Sequence, residues 1–357
     1  MEGVVNDPEY WRGRRVFLTG HTGFKGAWLV MVLSAWGAHV HGYALPPADP
    51  SLFVSAGASN LLASETLADV LDQGALTSAL KASDAEVVIH MAAQPLVRLS
   101  YDEPVSTFAT NVMGTVHLLE AVRSQPSVRA VVVVTSDKCY ENREWVWGYR
   151  ETEAMGGHDP YSSSKGCAEL VTSAYRRSFF NDGRGARVAS ARAGNVVGGG
   201  DWAADRLLPD MIRSVRAGEQ TLVRYPDAIR PWQHVLEPLS GYLTLARRLS
   251  GDDGVRFADG WNFGPAAEAE RTVGELMDRL CQCWGDGAGW RRDSREHHHE
   301  AGYLKLDSSK SRREIGWKPV WDFDRTIAET VGWYRAELEG KDMAAFTRDQ
   351  IQSYFAN

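Results

Sequence analysis

The stretch RVFLTGHTGFKG, residues 15–26, constrains the fold more than any other part of the chain. Five residues that favour a buried strand lead directly into Gly20, Gly23 and Gly26, and an apolar segment of helical character follows to Trp36. A strand, a glycine-rich turn and a helix in this order form the first unit of an open parallel sheet. The glycines permit a tight turn, a close approach of a ligand to the backbone and close packing of helix on strand.

Short apolar runs alternate with longer amphipathic segments through the first half of the chain, which is the pattern of βαβ units. The fold class that this pattern predicts is α/β, a Rossmann-type doubly wound parallel sheet. After the first unit, we predict strands over 40–44, 86–91, 130–135 and 186–191, a further strand before Asp69, and long helices over 105–123 and 161–180.

The pattern loosens beyond Gly194, where helical segments at about 204–217, 237–249, 273–284 and 325–338 lie between long aromatic-rich loops. We therefore predict two domains. Residues 1–193 form the dinucleotide-binding domain, and residues 194–357 form mainly a smaller, mixed α/β domain that binds the substrate. The segment of about 230–263 is expected to return to the first domain.

Charge and hydropathy exclude several classes of partner. The formal net charge of -7 argues against nucleic acid, which favours basic surfaces. No apolar stretch approaches the roughly 18 residues of a membrane span, and the amino terminus lacks the pattern of a secretory signal. We therefore expect a soluble, cytoplasmic protein.

Cysteines and histidines do not predict a metal site. Four cysteines are too few for a disulfide scaffold in a chain of 357 residues. Cys281 and Cys283 form an isolated C-x-C, and His297, His298 and His299 lie nearby, but neither spacing matches the usual zinc sites. We interpret these histidines as solvated loop residues and predict no metal.

The glycine turn has the features of a pyrophosphate site. The amino terminus of the helix that follows it supplies free N–H groups and a favourable dipole. The 2′-phosphate of NADP is usually bound by Arg or Lys near the end of the second strand, and the chain has neither between Lys25 and Lys81. This absence favours NAD, with Lys25 as the one nearby cation that could still reach a phosphate.

Tyr161 and Lys165 form a candidate catalytic pair. Of the twelve tyrosines, only Tyr161 has a lysine four residues later, which places both side chains on one face of a helix. A lysine ammonium beside the phenol lowers its pKa from about 10 and makes it a usable base. Ser136 follows the predicted strand 130–135, and its hydroxyl could bind the oxygen that Tyr161 deprotonates. The three residues indicate hydride transfer from an alcohol to NAD.

Several long stretches together resemble the nucleotide-sugar-modifying enzymes of the extended short-chain dehydrogenase/reductase family, whose glycine spacing is G-x-x-G-x-x-G. The resemblance covers nearly the whole chain and rests on HTGFKGAWL, HMAAQPLVRLSY, NVMGTVHLLEA, TSDKCYENREWVWGYRE, DPYSSSKGCAEL, RAGNVVGGGDWA, RPWQHVLEPLSGY and WNFGP. Besides Tyr161 and Lys165, the resemblance implies that the residues that bind NAD are Gly20, Gly23, Phe24, Lys25, Gly26, Asp69, Val70, Ala92, Ala93 and Asn111.

The resemblance implies 4,6-dehydration of a nucleotide-linked glucose, with CDP-glucose as the substrate. That reaction needs an acid for the hydroxide that leaves C6 and a base at C5. Asp137 suits the acid if burial keeps it protonated. Lys138 is either the base at C5 or a charge that stabilises the carbanion, in which case Glu141 or Glu144 is a possible base. An ion pair that closes the strand is the structural alternative for Asp137 and Lys138.

Other polar residues suit a nucleotide sugar as substrate, because arginine offers a planar fork for phosphate oxygens. Trp145 and Trp147 could add an aromatic wall, although buried tryptophans are more often plain core. The predicted substrate residues are Gln94, Arg98, Tyr101, Asn195, Arg206, Arg230 and His299.

The family resemblance also implies a homodimer, formed by pairing the helices 105–123 and 161–180 into a four-helix bundle, and leaves a tetramer open. Three alternatives to the predicted function remain at this point. They are a 4-epimerase, a dehydratase for another nucleotide, and a non-catalytic NAD-binding scaffold on the same fold.

Overall fold

A seven-stranded parallel sheet lies at the centre of the molecule, a computed structural model that describes residues 7–181, 185–266, 270–295 and 301–356. The strand order is β11-β6-β5-β4-β1-β2-β3, and every neighbouring pair runs parallel. This arrangement confirms the predicted fold class. The strands of this sheet are β1 Arg15–Thr19, β2 His39–Ala44, β3 Ser64–Leu67, β4 Val87–His90, β5 Ala130–Val134, β6 Arg187–Ala193 and β11 Gly260–Phe263.

Both faces of the sheet are covered, because successive side chains of a strand point to opposite faces. In β5, Val132 and Val134 enter one hydrophobic core, whereas Val131 and Val133 enter the other. The helices are α1 Pro8–Trp11, α2 Phe24–Ala35, α3 Leu52–Ser55, α4 Gln73–Ser83, α5 Val97–Asp102, α6 Pro104–Phe108, α7 Gly114–Arg123, α8 Pro160–Phe179, α9 Leu207–Arg216, α10 Leu236–Ser250, α11 Val273–Trp284, α12 Phe323–Leu338 and α13 Met343–Phe355.

The structure departs from the helix predictions at two places. The predicted helix 105–123 begins at Pro104 and contains a π-helical turn, Ala109–Met113, between α6 and α7. The sequence analysis did not identify α13, which begins at an N-cap, Asp342, whose carboxylate accepts a hydrogen bond from Ala345 N at 3.0 Å. This last helix packs back against α2 and α3.

Short strands outside the main sheet build the region that covers its carboxyl edge. The division of the chain into two domains stays a prediction, although β11 lies at the edge of the sheet beside β6. None of the helices within the described ranges is long and apolar enough to cross a membrane. The short strands are β7 Val196–Val197, β8 Thr221–Val223, β9 Ile229–Pro231, β10 Gln233–His234, β12 Glu270–Thr272 and β13 Trp290–Arg292.

A buried carboxylate, Glu237 in the first turn of α10, anchors the carboxyl-terminal helices to the sheet. Its oxygens accept hydrogen bonds from Trp321 N at 2.7 Å, Val320 N at 3.0 Å and the Tyr354 hydroxyl at 2.7 Å. Glu237 therefore connects α10, the loop before α12, and α13.

Glu237 should make the stability of the fold depend on pH. Burial raises the pKa of Glu237 from 4.5 to about 7 in the folded state, against the hydrogen bonds that it accepts. The folded protein thus binds the proton more tightly than the unfolded chain, so this contribution to stability is complete below about pH 4.5 and is lost as pH rises through about 7. Glu237→Gln removes it, and the decrease in unfolding free energy from about pH 5 to about pH 8 should be smaller by about 3 kcal/mol.

Urea unfolding of wild type and variant at both pH values measures this difference. Glu219→Gln, at an exposed position, is the control and should follow wild type. Parallel profiles for wild type and Glu237→Gln would show that Glu237 is ionised in the folded state throughout this range.

Candidate active site

A pocket of about 550 Å³ opens at the carboxyl ends of β1, β4, β5 and β6, where doubly wound sheets bind their ligands. Its wall begins at the glycine turn after β1 and continues through the turn after β5 to the segment after β6. Residues from the loop before α9 and from the end of β8 cover it on the other side.

The glycine turn forms a cradle that side chains would fill. Gly20 has a φ of +74°, and a Cβ at this position would lie 2.7 Å from Ala92 N. A Cβ at Gly26 would lie 2.1 Å from Gly20 O. Both positions therefore require glycine, and the amino terminus of α2 faces the space that they leave. This geometry fits the pyrophosphate of a dinucleotide.

The far end of the pocket suits the adenosine of NAD. Leu45, Ala68, Asp69 and Val70 line it, and residues 26–80 contain no lysine or arginine. Asp69 also stabilises its own loop, because its Oδ1 accepts a hydrogen bond from Leu71 N at 2.9 Å. An acidic residue without a neighbouring cation disfavours a 2′-phosphate, which supports NAD over NADP.

Helix α8 carries Tyr161 into the pocket in its first turn. Asp159 caps this helix by accepting a hydrogen bond from Ser162 N at 2.9 Å, and Pro160 takes the first helical position. The backbone N–H of Tyr161 donates to Ser100 Oγ at 3.1 Å, which fixes the start of α8 against α5. Tyr161 is buried and lines the pocket.

Burial dominates the titration of the two catalytic candidates on α8. It raises the pKa of Tyr161 to about 12, although a hydrogen bond with Ser136 opposes the shift. It lowers the pKa of Lys165 to about 8, although the charge of Glu169 opposes that shift. The Lys165 ammonium donates to Val134 O at 3.4 Å. A bound cationic nicotinamide would favour the Tyr161 phenolate further.

Ser136, Asp137 and Lys138 form the tight turn after β5, and all three line the pocket. Ser136 Oγ donates to Asp137 Oδ1 at 3.0 Å and accepts from Lys138 N at 3.2 Å. The second oxygen, Asp137 Oδ2, has no hydrogen-bond partner within the described structure. Burial raises the pKa of Asp137, although Lys138 and Ser136 oppose the shift. These are the properties of a carboxylic acid that can donate a proton.

Glu141 and Glu144 do not line the pocket. Glu141 is exposed and lies 3.9 Å from the Arg143 guanidinium. The Glu144 carboxylate accepts a hydrogen bond from Gly302 N. Of the three candidates for the base at C5, only Lys138 reaches the pocket.

Four of the predicted substrate residues, Arg98, Asn195, Arg206 and Arg230, line the pocket. Arg206 forms an ion pair with Asp201 at 2.7 Å. Arg230 is buried and donates to Ile229 O at 2.9 Å and to Ala301 O. Their place in the wall is compatible with binding a diphosphate, and their roles stay predictions.

Other predicted site residues lie behind the pocket wall or beside it. Asn111 accepts a hydrogen bond from Gln94 N at 2.8 Å and donates to Ser164 Oγ at 2.8 Å, so it fixes the loop after β4. Gln94 donates to Thr107 Oγ1 at 2.8 Å within the same loop. Neither residue lines the pocket, nor does Tyr101. His299 lies outside the described residues.

The sequence analysis missed two charged residues of the pocket wall. Asp205 precedes α9, and its Oδ1 accepts from Arg98 at 2.6 Å and from Arg224 at 3.4 Å. Asp205 and Arg224 lie in a part of the chain without clear periodicity, so no local signal identifies them. Only the packing of the loop before α9 against β8 brings them together.

Comparison with known proteins supports a nucleotide-sugar enzyme. The model of the family described as GDP-mannose 4,6 dehydratase matches residues 17–330. A CDP-glucose 4,6-dehydratase of Salmonella typhimurium is 53% identical over 355 residues, 98% of this chain and 98% of the relative. A dTDP-glucose 4,6-dehydratase of Mycolicibacterium smegmatis is 28% identical over 337 residues, 90% of this chain and 93% of the relative.

Solved structures show the same fold. A dTDP-glucose 4,6-dehydratase from Streptomyces venezuelae, solved with NAD bound, has a TM-score of 0.78 at 24% identity and covers 92% of this chain and 99% of its own. A UDP-glucose 4-epimerase from Thermotoga maritima also has a TM-score of 0.78, at 21% identity, and covers 90% of this chain and 99% of its own. The family match and the relative that matches the chain from end to end agree with the resemblance seen in the motifs, and the chain belongs to the GDP-mannose 4,6 dehydratase family of nucleotide-sugar enzymes.

Proposed function

We propose that this protein is an NAD-dependent CDP-glucose 4,6-dehydratase, a hydro-lyase that converts CDP-D-glucose to CDP-4-keto-6-deoxy-D-glucose and water for deoxysugar biosynthesis. One observation carries the proposal above the others. The buried carboxyl of Asp137, with Lys138 beside it, lies in the same pocket as Tyr161. Simple 4-epimerisation has no use for an acid and a base beyond the tyrosine. The choice of cytidine rests on the Salmonella relative.

The cofactor fits the residues that are present. The glycine cradle and the amino terminus of α2 would hold the pyrophosphate, and Asp69 and Val70 would flank the adenosine. When bound, NAD accepts the hydride from C4 of the glucose and returns it to C6.

Tyr161 removes the proton from the glucose 4-hydroxyl in the first half of the reaction. The Lys165 ammonium stabilises the phenolate, and Ser136 binds the same substrate oxygen. The C4 ketone that results makes the C5 hydrogen acidic. Lys138, as a neutral amine, removes that hydrogen or, as an ammonium, stabilises the negative charge that develops. Asp137 protonates the hydroxyl that leaves C6 as water.

Parallel incubation of the protein with NAD and four substrates tests this function. The substrates are CDP-glucose, dTDP-glucose, UDP-glucose and GDP-mannose, and the readout is the near-ultraviolet absorbance that 4-keto-6-deoxysugars develop in alkali. We expect signal with CDP-glucose. Signal only with another substrate would correct the nucleotide, and silence with NAD bound would favour an epimerase or a non-catalytic scaffold.

We further infer a homodimer formed through the outer surface of α6, the π-helical turn and α8, which pack side by side. This surface exposes apolar side chains: Val105 is 82% exposed and Leu170 is 60% exposed. Large exposed apolar side chains on neighbouring helices are typical of an interface. The tetramer remains open, and a cytoplasmic location stays a prediction.

Leu170→Glu should shift the protein from dimer to monomer, because a carboxylate would be buried in the helix bundle without a partner. Sedimentation velocity measures the mass relative to the 39.5 kDa chain. Val255→Glu is the matched control, since Val255 is 54% exposed but lies outside these helices. A dimer that survives Leu170→Glu unchanged would place the interface elsewhere.

A further inference from the structure

Glu169 is a buried carboxylate one helical turn after Lys165, and none of the steps above uses it. Its side chain is 4% exposed, and that of its ion-pair partner Arg192 is 5% exposed. Glu169 Oε2 accepts from Arg192 Nη2 at 2.7 Å and from Ser190 Oγ at 2.7 Å. Glu169 Oε1 accepts from Thr135 Oγ1 at 2.5 Å.

These contacts join the three elements that define the catalytic centre. Glu169 lies on α8 with Tyr161 and Lys165, whereas Ser190 and Arg192 lie on β6. Thr135 immediately precedes Ser136 and Asp137. A single carboxylate therefore connects the helix that carries the catalytic base to the strand end that carries the hydroxyl and the acid.

Glu169 is also the negative charge that acts on Lys165. Residues i and i+4 share one face of a helix, so the carboxylate lies on the same side of α8 as the ammonium. The other titratable groups near Lys165 are neutral or positive. His90 on β4 is neutral, because burial lowers its pKa to about 3, and Cys139 in the turn after β5 is neutral, because burial raises the pKa of its thiol. Tyr161 is on the same helix, and Lys25 on α2 adds positive charge.

Arg192 balances the charge of Glu169 from the side away from Lys165. Its Nη1 donates to the Tyr140 hydroxyl at 2.6 Å, which in turn donates to Asn262 Oδ1 at 2.8 Å. A buried carboxylate without such a partner would be costly and would take up a proton. The hydrogen-bonded partners thus keep Glu169 ionised beside Lys165.

We propose that Glu169, kept ionised by Arg192, is a positioning residue of the dehydration that holds α8 against the ends of β5 and β6 and keeps Lys165 protonated. The proposal rests on the proposed function, because it assigns Glu169 a part in the same reaction. Lys165 in its charged form is required for the Tyr161 phenolate, so loss of the Glu169 charge should weaken catalysis most at alkaline pH.

The first test titrates Lys165 directly and needs no turnover. Reductive methylation with ¹³C-formaldehyde labels the lysines, and the Lys165 resonance is the one that disappears in Lys165→Arg. In Glu169→Gln the titration midpoint should fall by on the order of one pH unit, since the variant loses a nearby negative charge and leaves Arg192 unpaired. The alkaline limb of turnover should move in the same direction.

Two variants separate charge from structure. Thr135→Val removes a hydrogen bond to Glu169, and Arg192→Lys changes the geometry of the ion pair, but neither alters the charge near Lys165. Both should leave the Lys165 midpoint in place, even where kcat falls. If Glu169→Gln does not fold, Glu169→Gln/Arg192→Met removes both buried charges, and its midpoint should still fall.

An unchanged Lys165 midpoint in the Glu169 variants, or an equal fall in Thr135→Val and Arg192→Lys, would overturn the proposal. A wild-type protein that binds NAD but does not dehydrate any of the four sugar nucleotides would contradict the proposed function. The Lys165 titration would still decide the role of Glu169 in that case.

Discussion

Tyr161→Phe should lower the turnover of CDP-glucose by about 10³-fold, because it removes the group that takes the proton from the 4-hydroxyl. The variant keeps the aromatic ring and its packing at the start of α8, so the fold and the glycine cradle should be unaffected. The dissociation constant for NAD, measured by quenching of intrinsic fluorescence, should therefore stay within a few-fold of wild type. Formation of the 4-keto-6-deoxysugar measures turnover.

A tyrosine far from the pocket provides the control for this substitution. Tyr303→Phe removes a hydroxyl that donates to Val146 O at 3.4 Å, and Tyr303 does not line the pocket. This variant should keep wild-type turnover. Full activity in Tyr161→Phe would exclude Tyr161 as the base, and joint loss of NAD binding and activity would indicate a structural effect instead.

Lys138→Met should lower turnover by about 10²-fold or more, since Lys138 is the only candidate for the C5 base that reaches the pocket. Methionine keeps the length of the apolar stem and removes the amine. With substrate deuterated at C5, wild type should wash the deuterium out to solvent, and Lys138→Met should retain it. Mass spectrometry of recovered substrate and product measures the exchange. Unhindered exchange in the variant would show that Lys138 is not the base and would leave it the role of stabilising the carbanion.

Asp137→Asn separates the two groups of the opening turn. It removes the acid for the leaving hydroxyl but keeps Lys138, so dehydration should fall while C5 exchange continues. The sugar oxidised at C4 should accumulate, and reduction with borodeuteride would trap it with deuterium at C4. Loss of exchange in both variants would mean that Asp137 acts before the elimination step.

Local patterns were sufficient for the sheet and for the two ends of the cofactor site. The first strand was predicted over the residues of β1, and Val273–Trp284 was predicted as the helix that became α11. A buried parallel strand needs a continuous apolar run and a glycine turn needs glycine, so both leave a mark in the sequence. The spacing of Tyr161 and Lys165 is equally local, because one helix carries both residues.

Residues whose place depends on distant contacts were not accessible in this way. Asn111 is part of a family motif, yet its amide is used by the backbone of Gln94 and by Ser164, which lie far from it in the sequence. Glu141 and Glu144 follow Lys138 closely in the chain, but the loop that carries them leads away from the pocket. Proximity in sequence does not determine which side chain faces a cavity.

The sequence by itself determined the α/β sheet, the glycine cradle and the family, because strand periodicity, glycine spacing and long motifs are properties of contiguous residues. Only the tertiary structure decided that Glu169 and Arg192 form a buried pair behind Lys165, that Asp205 meets Arg98 and Arg224, and which polar residues reach the pocket. Burial and pairing of charges arise from segments that are far apart in the chain. Their effect on protonation exists only after those segments have packed together.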